Sequence, residues 1–467
     1  SPMMHGPFQF FLNSLIFHIF GDTNYTARLL PAIFGIILTI LPILFRKDLG
    51  NHLTLVFSFT LTISPTLLYF SRFARNDIYV AVWSLVIIAC FLGYNKTGKF
   101  KYLIVTSFTL ALFFVTKESA YIFSAFLLIY LFITIASNFF ISINKKNLNQ
   151  LFHENKHTIE YFLFLLIICL PIGGAGFILF QDQLNLTLGS KDWPNIGLPA
   201  VDSTTPALII TITLSLISLI FIFLTRILLS LHLIDRSSLW LSTKKIILIV
   251  SLFFFIFLIF HTSFFTKFDG IKIAFWQSLG YWIAQHDVAR GAQPWFYYIM
   301  LSLVYEYSAI IIGTISSIYF IFRGNTQERF IASWALITFL FFSYAGEKMP
   351  WLLVEVILPF YLVSFFGLHR FFKYLSGLNI KNYTYIYYSS LLFILILFLS
   401  PIMSTIRLVY INPGWPNELL VYVQSSPHIT DIDDQISEIA KQSKKHNQLT
   451  IQIDSTDGFS WPWAWYF

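Results

Sequence analysis

Ser71-Arg72-Phe73-Ala74-Arg75-Asn76-Asp77, followed by a run over 78–94 that contains no charged residue, decides the fold of this chain. Two guanidinium groups, an amide and a carboxylate stand at the mouth of a stretch long enough to enter a bilayer as a helix. Working outward with a window of about 20 residues, the length that crosses roughly 30 Å of hydrocarbon, about twelve spans are expected. They lie near 26–45, 52–70, 78–94, 102–116, 120–143, 159–180, 206–231, 246–264, 296–322, 330–345, 352–368 and 384–403. Composition agrees: 57% of the 467 residues are hydrophobic and 11% are charged, against about 25% charged in a soluble domain. A mean hydropathy of +0.71 leaves more apolar surface than a water-soluble core can bury, so a cytosolic enzyme, a disordered chain and a disulfide scaffold are all excluded. The two cysteines, Cys90 and Cys169, fall inside apolar runs and read as small fillers.

Orientation follows from the loops that keep Lys and Arg. Arg46 and Lys47, Lys96 with Lys99 and Lys101, Lys145 with Lys146 and Lys156, Arg236 with Lys244 and Lys245, Arg323 and Arg329, and Arg370 with Lys373 and Lys381 form one alternating set. That set is assigned to the inside, which puts the other loops and both chain ends outside. The net charge of +7 is scattered in these short clusters, so nucleic acid is not an expected partner. A start on the outer side without a preceding span implies that at least one upstream helix belongs to the protein. Residues 1–403 are expected to form the membrane domain. Residues 404–467 turn polar and read as strand (Leu419 to Gln424), helix (Thr430 to His446) and strand (Leu449 to Asp454), the opening of an incomplete extracytoplasmic α/β segment.

Three outer turns carry the chemistry. Besides the first, they are Thr116-Lys117-Glu118-Ser119 before the span at 120, and Gly346-Glu347-Lys348-Met349-Pro350-Trp351 before the span at 352. Each aims a helix N-terminus, with free N–H groups, at one outer region, and the Arg and Lys beside it favour phosphate. Capping explains part of the pattern, since Asp77 and Thr116 are N-cap types, Glu118 suits a first turn and Pro350 a first helical position. For Asp77 a cap and a catalytic role are compatible. Arg72 and Arg75 can serve lipid headgroups, Lys117 and Lys348 can snorkel, and Glu347 can pair locally with Lys348. A fourth outer segment, Thr266 to Trp295, reads as an amphipathic interfacial helix whose tryptophans brace the headgroup layer, with His286 and Arg290 on one face. No Cys/His or His-Glu-x-x-His spacing marks a metal centre.

These residues also carry a resemblance. His5-Gly6-Pro7-Phe8, Phe20-Gly21-Asp22, Thr26-Ala27-Arg28-Leu29, Ile63-Ser64-Pro65 with Tyr69, and Ser71-Arg72 with Asp77 resemble the opening block of GT-C superfamily glycosyltransferases. The nearest branch is similar to dolichyl-phosphate-mannose protein mannosyltransferases and bacterial lipid A aminoarabinose transferases. Arg75-Asn76-Asp77, Thr116-Lys117-Glu118, Gln285-His286 with Arg290-Gly291, Glu347-Lys348-Met349-Pro350 and Trp461-Pro462-Trp463 resemble a subgroup often labelled flippase-activity-associated. Gly6 stands where many relatives have proline. The acidic residue that the superfamily carries in its first outer loop would lie just upstream of Ser1.

The resemblance implies an all-α polytopic membrane enzyme that moves a sugar from a polyprenyl-phosphate donor to a protein, lipid or glycan acceptor on the outer face of the plasma membrane. It implies Asp77 and His5 for catalysis, and Lys117, Lys348, Arg72 and Arg75 for the donor phosphate. Arg28, Glu118, His286, Arg290 and Glu347 are then expected to line the site, with a divalent cation as an optional helper and no other cofactor named. The rival expectation is a transporter or flippase-associated protein that binds the same lipid-linked sugar without chemistry.

Overall fold

The computed structural model describes residues 5–144, 155–190, 195–199, 204–230, 242–288, 291, 293–377, 383–422, 426, 428–443, 450–454, 456 and 463–466. Among them the chain is helical, and each of the twelve expected windows coincides with a helix or a bent helix pair. Seven described helices are long and apolar enough to cross a membrane, nine if each bent pair counts as one span. The chain is a multi-pass membrane protein. The shortfall from twelve has identifiable causes. The window at 26–45 and the first part of that at 52–70 fall in one helical run, Asn24–Ile63, broken within it where Gly50 takes φ +78°, a conformation open to glycine at no steric cost. Thr326–Tyr344, at the window 330–345, is not apolar enough to count. Lys101–Phe114 is apolar but short.

Two helices form the centre. Of their most apolar windows, 83% is buried in Asp77–Thr97 and 89% in Pro350–Ser376, against 11% in Thr204–Phe221 and 22% in Thr243–His261. The outer helices present Ile, Leu and Phe to lipid, as a bilayer permits. The central helix Leu353–Ser376 meets Tyr307–Arg323 through small residues: a Cβ on Gly367 would lie 1.9 Å from Ser316 Oγ, and Ser364 Oγ donates to the Ala309 carbonyl at 3.1 Å. Without a hydrophobic drive between helices in lipid, this close approach supplies dispersion contact and hydrogen bonding.

Local chemistry sets the ends. Asn325 caps Thr326–Tyr344, accepting from the N–H groups of Gln327 and Glu328 while Glu328 accepts from the Asn325 N–H at 2.8 Å. Ser64 and Pro65 open Pro65–Ser71, which delivers the chain to the Arg72–Asp77 turn. That short helix is anchored by Glu306, fully buried at the 115° break between Tyr297–Tyr305 and Tyr307–Arg323. Its carboxylate accepts from Ser64 Oγ (2.6 Å), the Thr66 N–H (2.9 Å) and Tyr361 Oη (2.5 Å).

Three expectations change in the structure. Phe8–Phe20 is an additional helix, too short at 13 residues to span. The Thr266–Trp295 segment is not one interfacial helix but a turn, a π-helical stretch Ile273–Gln277 and the helix Ser278–Val288. Its Trp276 is buried, donating to Thr211 Oγ1 at 3.1 Å, and Trp282 stacks on Phe341, because both rings find partners between helices. Beyond 404, the expected helix forms as Ile429–Gln442. The described residues of the two expected strands are turn and unpaired chain, with no neighbouring strand to take their backbone groups. The rest of those strands, with Lys145, Lys146, Arg236, Lys381, Trp461 and Pro462, lies outside the described residues.

Candidate active site

The three charged turns meet. Asn76 Nδ2 donates to the Thr116 carbonyl at 3.1 Å, and Trp83 Nε1 donates to Thr116 Oγ1 at 3.2 Å, so the first turn is sewn to the second by backbone and side chain together. Lys117 Nζ then lies 2.6 Å from Asp77 Oδ1 and 2.6 Å from Glu355 Oε1, with side chains only 6%, 1% and 9% exposed. Arg75 Nε reaches Asp77 Oδ2 at 3.3 Å, while its guanidinium sits 3.5 Å over the Trp351 ring. Asp77 opens one central helix and Glu355 lies in the first turn of the other, so the ion set clamps the two central helices at one end.

Two carboxylates face two cations here, which balances the set internally. Burial alone would lower the pKa of Lys117, but the carboxylates of Asp77 and Glu355 hold it above the ordinary lysine value. Its charge is therefore engaged by the protein. Lys348 differs. Its ammonium donates to the Ala345 carbonyl at 2.6 Å and meets no carboxylate within 4 Å among the described residues, and burial lowers its pKa. The third turn is fixed by Tyr298, whose hydroxyl donates to the Met349 carbonyl and accepts from the Met349 N–H, each at 3.1 Å.

His5 and Glu118 complete the rim. His5 Nδ1 lies 3.3 Å from Glu118 Oε2, and the chain before Phe8 pairs with the second turn through Gly6 N–H to the Thr116 carbonyl (3.2 Å) and Phe8 N–H to the Val115 carbonyl (2.9 Å). A Cβ on Gly6 would stand 2.1 Å from the Val115 carbonyl oxygen. Glycine here permits the close approach, whereas proline would lack the donated N–H and clash.

An apolar cavity of about 850 Å³ opens beside the cluster, walled by Val80, Phe113, Tyr121, Phe126 and Trp334. Glu355, Ser119 and Ala345 also line it, so a carboxylate of the ion set and the residue whose carbonyl holds Lys348 belong to the same cavity. Ser119 and Ile129 lie on one wall; at 1.5 Å per residue that wall runs about 15 Å along the helix.

The other expected residues lie apart. Arg72 is exposed and turns toward the C-terminal chain, donating through Nη1 to the Val409 carbonyl at 2.9 Å with its guanidinium 4.7 Å over Tyr410. Arg28 is exposed on Asn24–Ile40. Glu347 is half-buried beside Lys348. His286 falls within Ser278–Val288, its side chain outside the described residues, and Arg290 lies outside them altogether. The neighbouring Gly291 is described, and a Cβ on it would lie 2.6 Å from the Lys348 carbonyl, which brings that segment to the third turn. Among the described residues no three of His, Cys, Asp and Glu gather as a metal site, so no step is drawn through a metal.

Sequence reasoning passed over Glu355, Glu306 and Tyr298. Glu355 and Glu306 carried a usable signal: each is a carboxylate inside a long apolar run, costly in hydrocarbon unless a partner waits there. Tyr298 carried none, since aromatic residues abound in the chain.

Fold and site together define a polytopic membrane protein whose three charged turns converge at one end of its central helices. Residues 4–148, roughly a third of the chain, match the profile of the dolichyl-phosphate-mannose-protein mannosyltransferase family. The structure is similar to that of the oligosaccharyltransferase AglB from Archaeoglobus fulgidus in complex with an inhibitory peptide and a dolichol-phosphate (14% identity, TM-score 0.55, 98% of this chain and 53% of that one). It is similar also to the apo form of that enzyme (14%, 0.55, 100% and 52%). ArnT from Cupriavidus metallidurans aligns at 13% identity and TM-score 0.44, over 93% and 70%. At these identities the likeness is one of fold. The chain spans about half the length of the oligosaccharyltransferase structures it matches. No curated protein matches it.

Proposed function

We propose that this chain is the membrane domain of a glycosyltransferase that takes a sugar from a polyprenyl-phosphate carrier and gives it to an acceptor at the extracytoplasmic face. The observation that carries this is the buried Asp77–Lys117–Glu355 ion set beside an apolar cavity that Glu355 lines. A prenyl chain fits such a cavity, and its phosphate needs a cation at the same depth. Lys348, without a carboxylate partner among the described residues, is that cation in our reading. Arg75, half-buried and stacked on Trp351, stands second.

In the reaction, an acceptor oxygen or nitrogen attacks the anomeric carbon, the bond from that carbon to the phosphate oxygen breaks, and polyprenyl phosphate departs with the electron pair. Positive charge held in a dry site stabilises the leaving phosphate without reorganisation. The acceptor's proton needs a base. Asp77 and the His5–Glu118 pair are the groups at hand, with Lys117 serving to hold Asp77 and Glu355 in place rather than to clamp phosphate. Residues 1–403 then bear the chemistry and 404–467 begin an outer segment, with Arg72 tying the two.

The rival, a carrier of lipid-linked sugars without chemistry, draws support from the broken helix at Glu306, a feature of transport pathways. That carboxylate is already saturated by Ser64, Thr66 and Tyr361, which favours an anchor. Incubating the full protein with radiolabelled polyprenyl-phosphate sugar and an extract of acceptors separates the two. Transfer with release of polyprenyl phosphate is expected; binding without release excludes the enzyme.

A further inference from the structure

Two features of the cavity's lining concern the direction in which a lipid-linked sugar lies there. Ala345, whose carbonyl holds the Lys348 ammonium, lines the cavity. Glu355 and Ser119 line it as well. Lys117 engages Oε1 of Glu355, and Ser119 lies beside that carboxylate. The cavity wall therefore carries a carboxylate and a hydroxyl, while a cation is held behind it by the carbonyl of another lining residue.

The donor's phosphodiester anion is drawn to the Lys348 ammonium and disfavoured beside the Glu355 carboxylate, since two negative charges at contact distance in a poorly screened site oppose each other. A sugar has the opposite preference. Its hydroxyl groups donate well to a carboxylate, and such charge-assisted bonds are about twice as strong as neutral ones. The occupant is thus polarised.

We infer that Glu355, with Ser119, recognises the sugar hydroxyls of the lipid-linked donor, while Lys348 receives its phosphate. This rests on the proposed donor class and adds a specificity-determining residue to it. Glu355 thereby has two duties, closing the ion set with Lys117 and reading the carbohydrate. A purely structural Glu355 would have only the first.

The test is calorimetric titration of the detergent-solubilised protein with two probes, a short-chain prenyl phosphate and the same prenyl phosphate bearing mannose or glucose, the tighter hexose being used. Glu355→Gln should weaken the sugar-bearing probe about 10-fold and leave the bare phosphate within about twofold, as expected for loss of a hydrogen bond to a charged group. Lys348→Met should weaken both probes. Equal loss for the two probes in Glu355→Gln, or no loss for either, overturns the inference. Should Glu355→Gln not fold, Ser119→Ala decides: selective weakening of the sugar-bearing probe by about threefold supports it, and unchanged or parallel affinities overturn it. If the unmodified protein binds neither probe, the donor class itself falls and this inference with it.

Discussion

Replacing Lys117 with methionine removes the ammonium that two buried carboxylates share. Asp77 keeps Arg75 at 3.3 Å, but Glu355 loses the ion partner that held it at 2.6 Å. A charge left unpaired at about a tenth exposed costs about 3–5 kcal/mol, since its desolvation is no longer offset. The loss should appear as a lowered unfolding temperature in detergent. Glu355→Gln on the same background should recover at least half of it, because removing the stranded charge removes the penalty, and the two substitutions should couple by about 1.5 kcal/mol or more. The pH dependence has a definite sign. Lys117 is raised in the fold, so its contribution is fully present below the unfolded lysine value, about 10.4, and is lost only as pH rises through the higher folded value. Between about pH 6 and 9 no step from this residue is expected. A Lys117→Met protein as stable as the parent, to within about 0.5 kcal/mol, would refute the reasoning.

Lys348→Met should behave oppositely. Burial lowers Lys348, so keeping it charged costs folding energy at pH below the unfolded value; the variant should be at least as stable as the parent while transfer falls by 100-fold or so, read as activity against unfolding temperature. Trp351→Ala removes the ring under Arg75 and the edge contact with Tyr422, and turnover should drop about 10-fold with membrane insertion intact, as scored by rate per folded molecule. Gly6→Ala drives a Cβ to 2.1 Å from the Val115 carbonyl, so a loss of about 1–3 kcal/mol is expected in the same thermal assay. Thr116 is fully buried and makes a poor topology probe; cysteine at the exposed Asp22 should label from outside and at the exposed Lys99 only after permeabilisation, with the reverse pattern inverting the assigned orientation.

What the sequence determined by itself was the membrane, the order of the helices and the polar character of the three turns that open helices at Asp77, Ser119 and Leu353. These are local properties: a long uncharged run has no stable place in water, and a charged turn has none in hydrocarbon. The tertiary structure alone decided which of those charges are engaged. Lys117 and Lys348 look alike in sequence, each beside a glutamate at a helix entrance. Yet one is closed between Asp77 and Glu355 from helices 40 and 238 residues away, and the other is held only by a carbonyl three residues back. Arg72 and Arg75, three positions apart on one turn, diverge to Val409 and to Asp77. Pair formation depends on which helix ends the packing brings within a few ångströms, and that is decided by how the helices meet in space, not by any spacing along the chain.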